Sequence, residues 1–177
     1  MRKFTFLMLI LISCSCSSKP SIPIAESVDL ERFMGKWYVI ASIPTFIEKD
    51  AYNATEYYQQ EEGNKIKTAF SFNQGSPSGI RKIHNPIGFV TKHPSNAIWK
   101  MQFLWPFKMD YRIVHLDSEY QHTIVGREKR DFVWIMSRSS KIDSKEYQNL
   151  VQIVKDAGYK TDKLKLVPQS ERTTKLP

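Results

Sequence analysis

The chain of 177 residues carries two cysteines, Cys14 and Cys16, both close to its start. With Cys14 modified, as argued below, Cys16 has no partner, and an exported domain of this kind must be held by its core rather than by disulfides. Its four histidines, His84, His93, His115 and His122, stand in no metal-ligand spacing such as H-x-x-x-H. A G-x-S-x-G elbow and a paired Cys–His arrangement are also missing. Asp110 and Arg112 flank a strand start, where a structural ion pair fits better than acid–base chemistry. These absences give no sign of an enzyme and call for no cofactor. Acidic residues are outnumbered, 18 against 26 Lys and Arg, for a formal charge of +8. On an exported protein that excess suits anionic lipid, anionic ligands or plain solubility. Nucleic acid is not an expected partner, because no recognition motif or dense basic run appears.

Long apolar runs are lacking too. Phe4 to Ile12, behind Arg2 and Lys3, is too short to span a bilayer and reads as a targeting segment. Leu11-Ile12-Ser13-Cys14 then resembles a bacterial lipobox, which implies cleavage before Cys14 and lipid on its sulfur and new amino terminus. Cys16 fits the pattern less well, since Ser13 stands three residues before it. The expected organisation is a signal peptide over 1–13, a tether over 14–27 with Pro20 and Pro23, and one domain over 28–177.

What the domain does have is strand pattern. Val28 to Met34 is a short amphipathic stretch that leads into Gly35-Lys36-Trp37-Tyr38 and a run of strand formers. A Gly that turns the backbone, followed by a large inward Trp, suits the plugged end of a small antiparallel barrel. Eight strands are expected at about 36–43, 53–61, 64–72, 79–92, 97–104, 109–116, 121–127 and 132–138. Turn signals at Glu62-Gly63-Asn64 and Leu116 to Glu119 make neighbours antiparallel. The fold class is all-β, an eight-stranded antiparallel up-and-down barrel with one C-terminal helix packed outside. That helix starts at an Asp143 N-cap with Glu146 completing a capping box, shows Tyr147, Leu150, Val151 and Val154 on one face, and stops at Gly158. Its apolar stripe is expected to cover Val133 and Ile135. Leu164 to Val167 suggests a short last strand, and Gln169 to Pro177 a frayed end.

Gly35-x-Trp37, Asp110-Tyr111 and Arg138 together form the three-part signature of lipocalins. The chain resembles that family over roughly residues 28 to 168, and bacterial outer-membrane lipoprotein lipocalins in particular from Tyr111 to Arg138. Met109 departs from the Thr that many members carry there. The resemblance implies an apolar calyx for a fatty acid or lysophospholipid, and a lipid-anchored location in the cell envelope, at the outer membrane facing the periplasm. Ser15 after Cys14, with no Asp there, agrees with that sorting.

Alternation of faces along a strand then selects the inner wall. With Trp37 and Arg138 inward and stacked, Val39, Ala41, Phe132, Trp134 and Met136 share the inner face. The same rule picks Ile66, Phe70 and Phe72, then Gly88 and Val90, then Trp99, Met101 and Phe103, then Tyr111 and Ile113. Gly88 and Ala41 leave space beside aromatic walls, which suits an amphiphile; the alternative is a structural envelope lipoprotein with a filled core. The mouth lies at the end opposite Trp37. There Arg127, Lys129 and Arg130 form a basic rim for an anionic headgroup, or a solvated surface. Leu104 to Phe107 offers an apolar patch for a membrane or for a second copy of the chain, as a homodimer.

Overall fold

The computed structural model describes residues 20–170. The expected signal segment, Cys14 and residues 171–177 lie outside the described residues. A short helix, α1 (Leu30–Phe33), precedes strand β1 (Gly35–Ile43); β2 (Ala51–Gln60), β3 (Lys65–Gln74), β4 (Arg81–His84) and β5 (Ile87–Val90) follow. Then come β6 (Ile98–Leu104), β7 (Phe107–Leu116), β8 (His122–Gly126), β9 (Val133–Ser137), helix α2 (Ser144–Asp156) and β10 (Lys165–Leu166). From β1 to β9 each strand pairs antiparallel with the next, except that β4 pairs with β3 alone and β5 also pairs with β3; β9 returns to β1, closing the barrel, and β10 also pairs with β1. The expected strand over 79–92 is two pieces, β4 and β5, both paired to β3. Asn85-Pro86 separates them, because proline supplies no ladder N–H and fixes its own φ.

The plugged end forms as the sequence requires. Asp29 caps α1 by accepting from the N–H groups of Glu31 and Arg32 at 3.0 and 3.3 Å. Gly35 then turns with φ +90°, a left-handed conformation that suits glycine. Trp37 points inward, fully buried, and donates its indole N–H to Phe33 O at 2.9 Å. Arg138 lays its guanidinium 3.8 Å from the centre of the Trp37 ring. The same guanidinium donates to the carbonyls of Arg32, Phe33, Met34 and Lys36 at 2.8–3.1 Å. One cation thus satisfies the carbonyl end of α1 and covers the indole.

Two apolar clusters share the barrel wall. The inner one joins Phe33, Trp37, Tyr58, Ile66 and Trp99. The outer one packs Leu150 and Val154 of α2 over Ile40, Ile124, Val133 and Ile135, the placement expected for the helix. Bulges correct the simple alternation. The β1–β9 register shifts between Val39 and Ala41, so Ala41 pairs with Ile135 and joins the outer cluster, while Ser42 pairs with inward Trp134. Gly88 leaves its space to the packed core, since a Cβ there would sit 3.3 Å from Ile66 Cβ and 3.5 Å from the Trp99 ring. Phe132 stands just before β9 rather than in it.

Both ends of the described chain are tied to the barrel. Pro20 O accepts from Arg130 at 2.8 Å, Ala25 N donates to Ile113 O at 2.9 Å and Val28 N to Ser95 O at 2.8 Å. The segment read as tether therefore runs, from Pro20 on, along the barrel from its open end toward the plugged end. Gln169, expected to fray, instead donates to Val39 O and Ala54 O at 2.8 and 3.0 Å.

Candidate functional site: an apolar cavity at the open end

The two halves of the barrel differ. Near the plug, Trp99 meets Phe33 and Tyr58 edge-on, with ring centres 5.6 and 5.8 Å apart, and stacks on Tyr111 at 5.6 Å. Phe72, Val90, Ile113 and Met136 are buried in that same core. These four proposed wall residues, with Trp99 as a fifth, thus pack the floor and support the cavity from below. Above this floor lies a cavity of about 260 Å³ lined by Phe70, Met101, Phe103, Tyr111, Phe132 and Trp134 from the expected set. Large side chains on β3, β6, β7 and β9 converge there because alternate residues of each strand face inward.

The connection between β1 and β2 roofs the cavity with Thr45, Phe46, Ile47 and Glu48. Glu48 is buried and accepts from Thr45 N at 3.0 Å and from the Trp134 indole N–H at 3.1 and 3.2 Å. Burial raises its pKa, against the effect of those bonds. A second carboxyl, Glu56 on β2, also faces the cavity, opposite Trp37 and Phe70 in register. Its Oε2 is buried and has no hydrogen-bond partner. Burial first, and the neighbouring Glu48 charge second, push Glu56 up to about 8. Beside it the hydroxyls of Tyr58 and Tyr111 hydrogen-bond to each other, and burial raises both. At neutral pH this is mostly a neutral polar spot in an apolar wall.

Neither glutamate was singled out from the sequence. Glu56 had a signal, since it alternates with Ala54 and Tyr58, both buried. Glu48 had none, being a loop residue whose burial comes from the roof.

The three rim cations separate in space. Arg127 lines the cavity, with its guanidinium 5.3 Å from the Phe132 ring and its Nη1 3.2 Å from Asp131. Its Nε is buried without a partner. Lys129 is exposed. Arg130 is spent on structure, donating to Ala157 O, Glu128 O and Pro20 O at 2.7–3.2 Å. Asp110 accepts from Arg112 at 3.0 Å and from Glu128 N at 2.9 Å, a structural pairing. No group of three or more His, Cys, Asp or Glu that could hold a metal occurs among the described residues.

A calyx plugged by a capped helical turn and flanked by an outer helix defines a class of small-molecule carriers, and comparison with known proteins agrees. Residues 28–169 match the family model of the lipocalin-like domain. The chain belongs to the lipocalin family, whose members bind and transport ligands. Outer membrane lipoprotein Blc of Citrobacter freundii is 28% identical over 163 residues, covering 90% of each chain. Temperature-induced lipocalin-1 of Arabidopsis thaliana is 28% identical over 164 residues, covering 88% of this chain and 87% of its own. Among solved structures, insecticyanin of the tobacco hornworm Manduca sexta superposes with a TM-score of 0.67 at 16% identity, with 86% of each chain covered.

Proposed function

We propose that the protein is a membrane-anchored lipid carrier of the cell envelope that holds one fatty acid or lysophospholipid in the open-end cavity. The apolar cavity above a filled floor carries this reading. A chain laid against Phe70, Met101, Tyr111 and Trp134 gains roughly 0.8 kcal/mol per buried methylene. Orientation follows from the lining. Apart from Arg127 the cavity offers apolar groups, carboxyls and hydroxyls, so an anionic head meets no cation in its depth and stays at the mouth, where Arg127 and Lys129 can meet it. Arg130 is left out of that rim, because its guanidinium is already committed to three carbonyls.

The lipobox-like run ending in Cys14 and the likeness to outer membrane lipoproteins support lipidation and an outer-membrane location. Native mass spectrometry of protein isolated from its own host, followed by lipid extraction, tests the cargo. One single-chain lipid per protein is the expected result. A protein that neither carries lipid nor binds an added fatty acid one-to-one in a displacement titration would instead be a structural envelope lipoprotein.

A further inference from the structure

The open end carries more apolar surface than the cavity needs. Trp105 is 81% exposed at the β6–β7 tip, flanked by exposed Leu104 and Phe107, and none of the three lines the cavity. Phe46, 82% exposed on the roof, and Ile80, before β4, extend this surface around the mouth. Lys49, on the same loop as Phe46, and Lys129, on the β8–β9 connection at the same end, are both exposed and have no ion pair among the described residues. Two of the acids nearby are already paired, Glu128 with Arg112 at 2.6 Å and Asp131 with Arg127 at 3.2 Å, while exposed Asp50 stands beside Lys49. Apolar tips among free cations have the make-up of a surface that meets an anionic lipid interface.

The chain's path supplies the second observation. Pro20 and Ile22 are bonded to Arg130 and Glu128, on the β8–β9 connection at the open end. Pro20 lies six residue steps after Cys14, a reach of at most ~20 Å. The plugged end lies a full strand away, about 30 Å for the ten residues of β7. A lipid on Cys14 therefore keeps the mouth, and not the plug, next to the bilayer.

We infer that the rim formed by Phe46, Ile80, Leu104, Trp105 and Phe107 docks on the anionic phospholipid surface of the anchoring membrane, so that the calyx opens onto the bilayer. Cargo then passes between membrane and calyx without crossing bulk water. This inference rests on the lipidation of Cys14 proposed above.

The test uses the full lipoprotein isolated from membranes and returned to vesicles of zwitterionic phospholipid with or without anionic phospholipid, both with brominated acyl chains. The Trp105 signal is isolated by subtracting that of Trp105→Phe. Bromine should quench Trp105 by half or more, and aqueous iodide should reach it at least threefold less well than in detergent-free solution of the Cys14→Ser chain. Paired Lys49→Glu and Lys129→Glu changes should reduce quenching only on anionic vesicles. A lipidated protein whose Trp105 escapes bromine and stays open to iodide overturns the docking. So does a Trp105 shielded in a dimer that Trp105→Ser converts to monomer, since a second copy would then cover the rim. Absence of the lipid mass overturns the anchor reading and the docking with it. Fatty-acid displacement in a Trp105→Ser/Phe107→Ser variant should match the parent protein within twofold; its loss in both proteins would strike the carrier reading while leaving bromine quenching to judge the docking.

Discussion

Trp134 donates its indole N–H to both carboxyl oxygens of Glu48, at 3.1 and 3.2 Å, and so ties the last barrel strand to the loop that roofs the cavity. Trp134→Phe keeps a ring in the wall but leaves a buried carboxyl short of a donor. Chemical denaturation should show a loss of about 1–3 kcal/mol. Affinity for a long-chain fatty acid should fall several-fold, as the roof loosens, and Trp134→Ala should weaken it further. Unchanged affinity in both variants would place the ligand outside the barrel.

The plug gives a second expectation. Trp37→Ala deletes a fully buried indole and should destabilise the fold by roughly 3–5 kcal/mol. Arg138→Ala removes the stack and the donors to four carbonyls, so the two losses should overlap. A double-mutant cycle should give a coupling of ~1–2 kcal/mol. Arg138→Lys should not restore stability, because an ammonium lacks the planar fork that reaches several carbonyls at once.

Glu56 sets a pH dependence. Its folded pKa, about 8, lies above the ordinary carboxyl value of 4.5, so the folded state holds a proton that the unfolded chain has released. The neutral acid therefore supports the fold fully below pH ~4.5, and that support is lost as pH rises toward 8. The slope contributed by this group approaches ~1.4 kcal/mol per pH unit at most. Glu56→Gln should flatten the pH profile of unfolding between those values and make the protein more stable than the parent at pH 8. Anionic ligands should bind the parent more weakly above pH 8, and the variant should lose that decline.

Gly126 is held by contact rather than by conformation. A Cβ there would lie 2.1 Å from the Tyr159 hydroxyl, which donates to Arg127 O and accepts from Arg127 N at 3.2 and 2.8 Å. Gly126→Ala should displace Tyr159, loosen the chain after α2 and cost about 1–3 kcal/mol in thermal or chemical unfolding. A variant as stable as the parent would mean that Tyr159 is not needed there.

The barrel was legible because its determinants are local and repeated. Gly35 and Trp37 mark one end, alternating apolar residues mark the wall, and the stripe of α2 matches the outer face of β9. Bulges were not legible. One extra residue near Ile40 turns Ala41 outward, and nothing in Val-Ile-Ala-Ser announces it. Five of the eleven wall residues proposed from alternation pack the floor instead of the cavity, since parity fixes the face but not the height. The rim failed at Arg130 for a similar reason: its carbonyl partners come from Pro20 and Ala157, far away in sequence. Asn85-Pro86 carried a readable warning that the fourth strand breaks.

That break changes what kind of container the calyx is. Among the described residues β4 is hydrogen-bonded to β3 alone, whereas β5, below it, joins β3 to β6. Toward the rim the wall therefore has a slit between β4 and β6, with Pro86 and Phe103 on the cavity lining beside it. Swinging β4 outward on β3 breaks none of the backbone bonds between β5 and β6. In its backbone pairing the vessel is less a closed cup than a clasp. Near the top its girth is set by side-chain packing and not by a backbone ladder, so a guest longer or thicker than the empty space meets a side of the wall that no strand pairing closes.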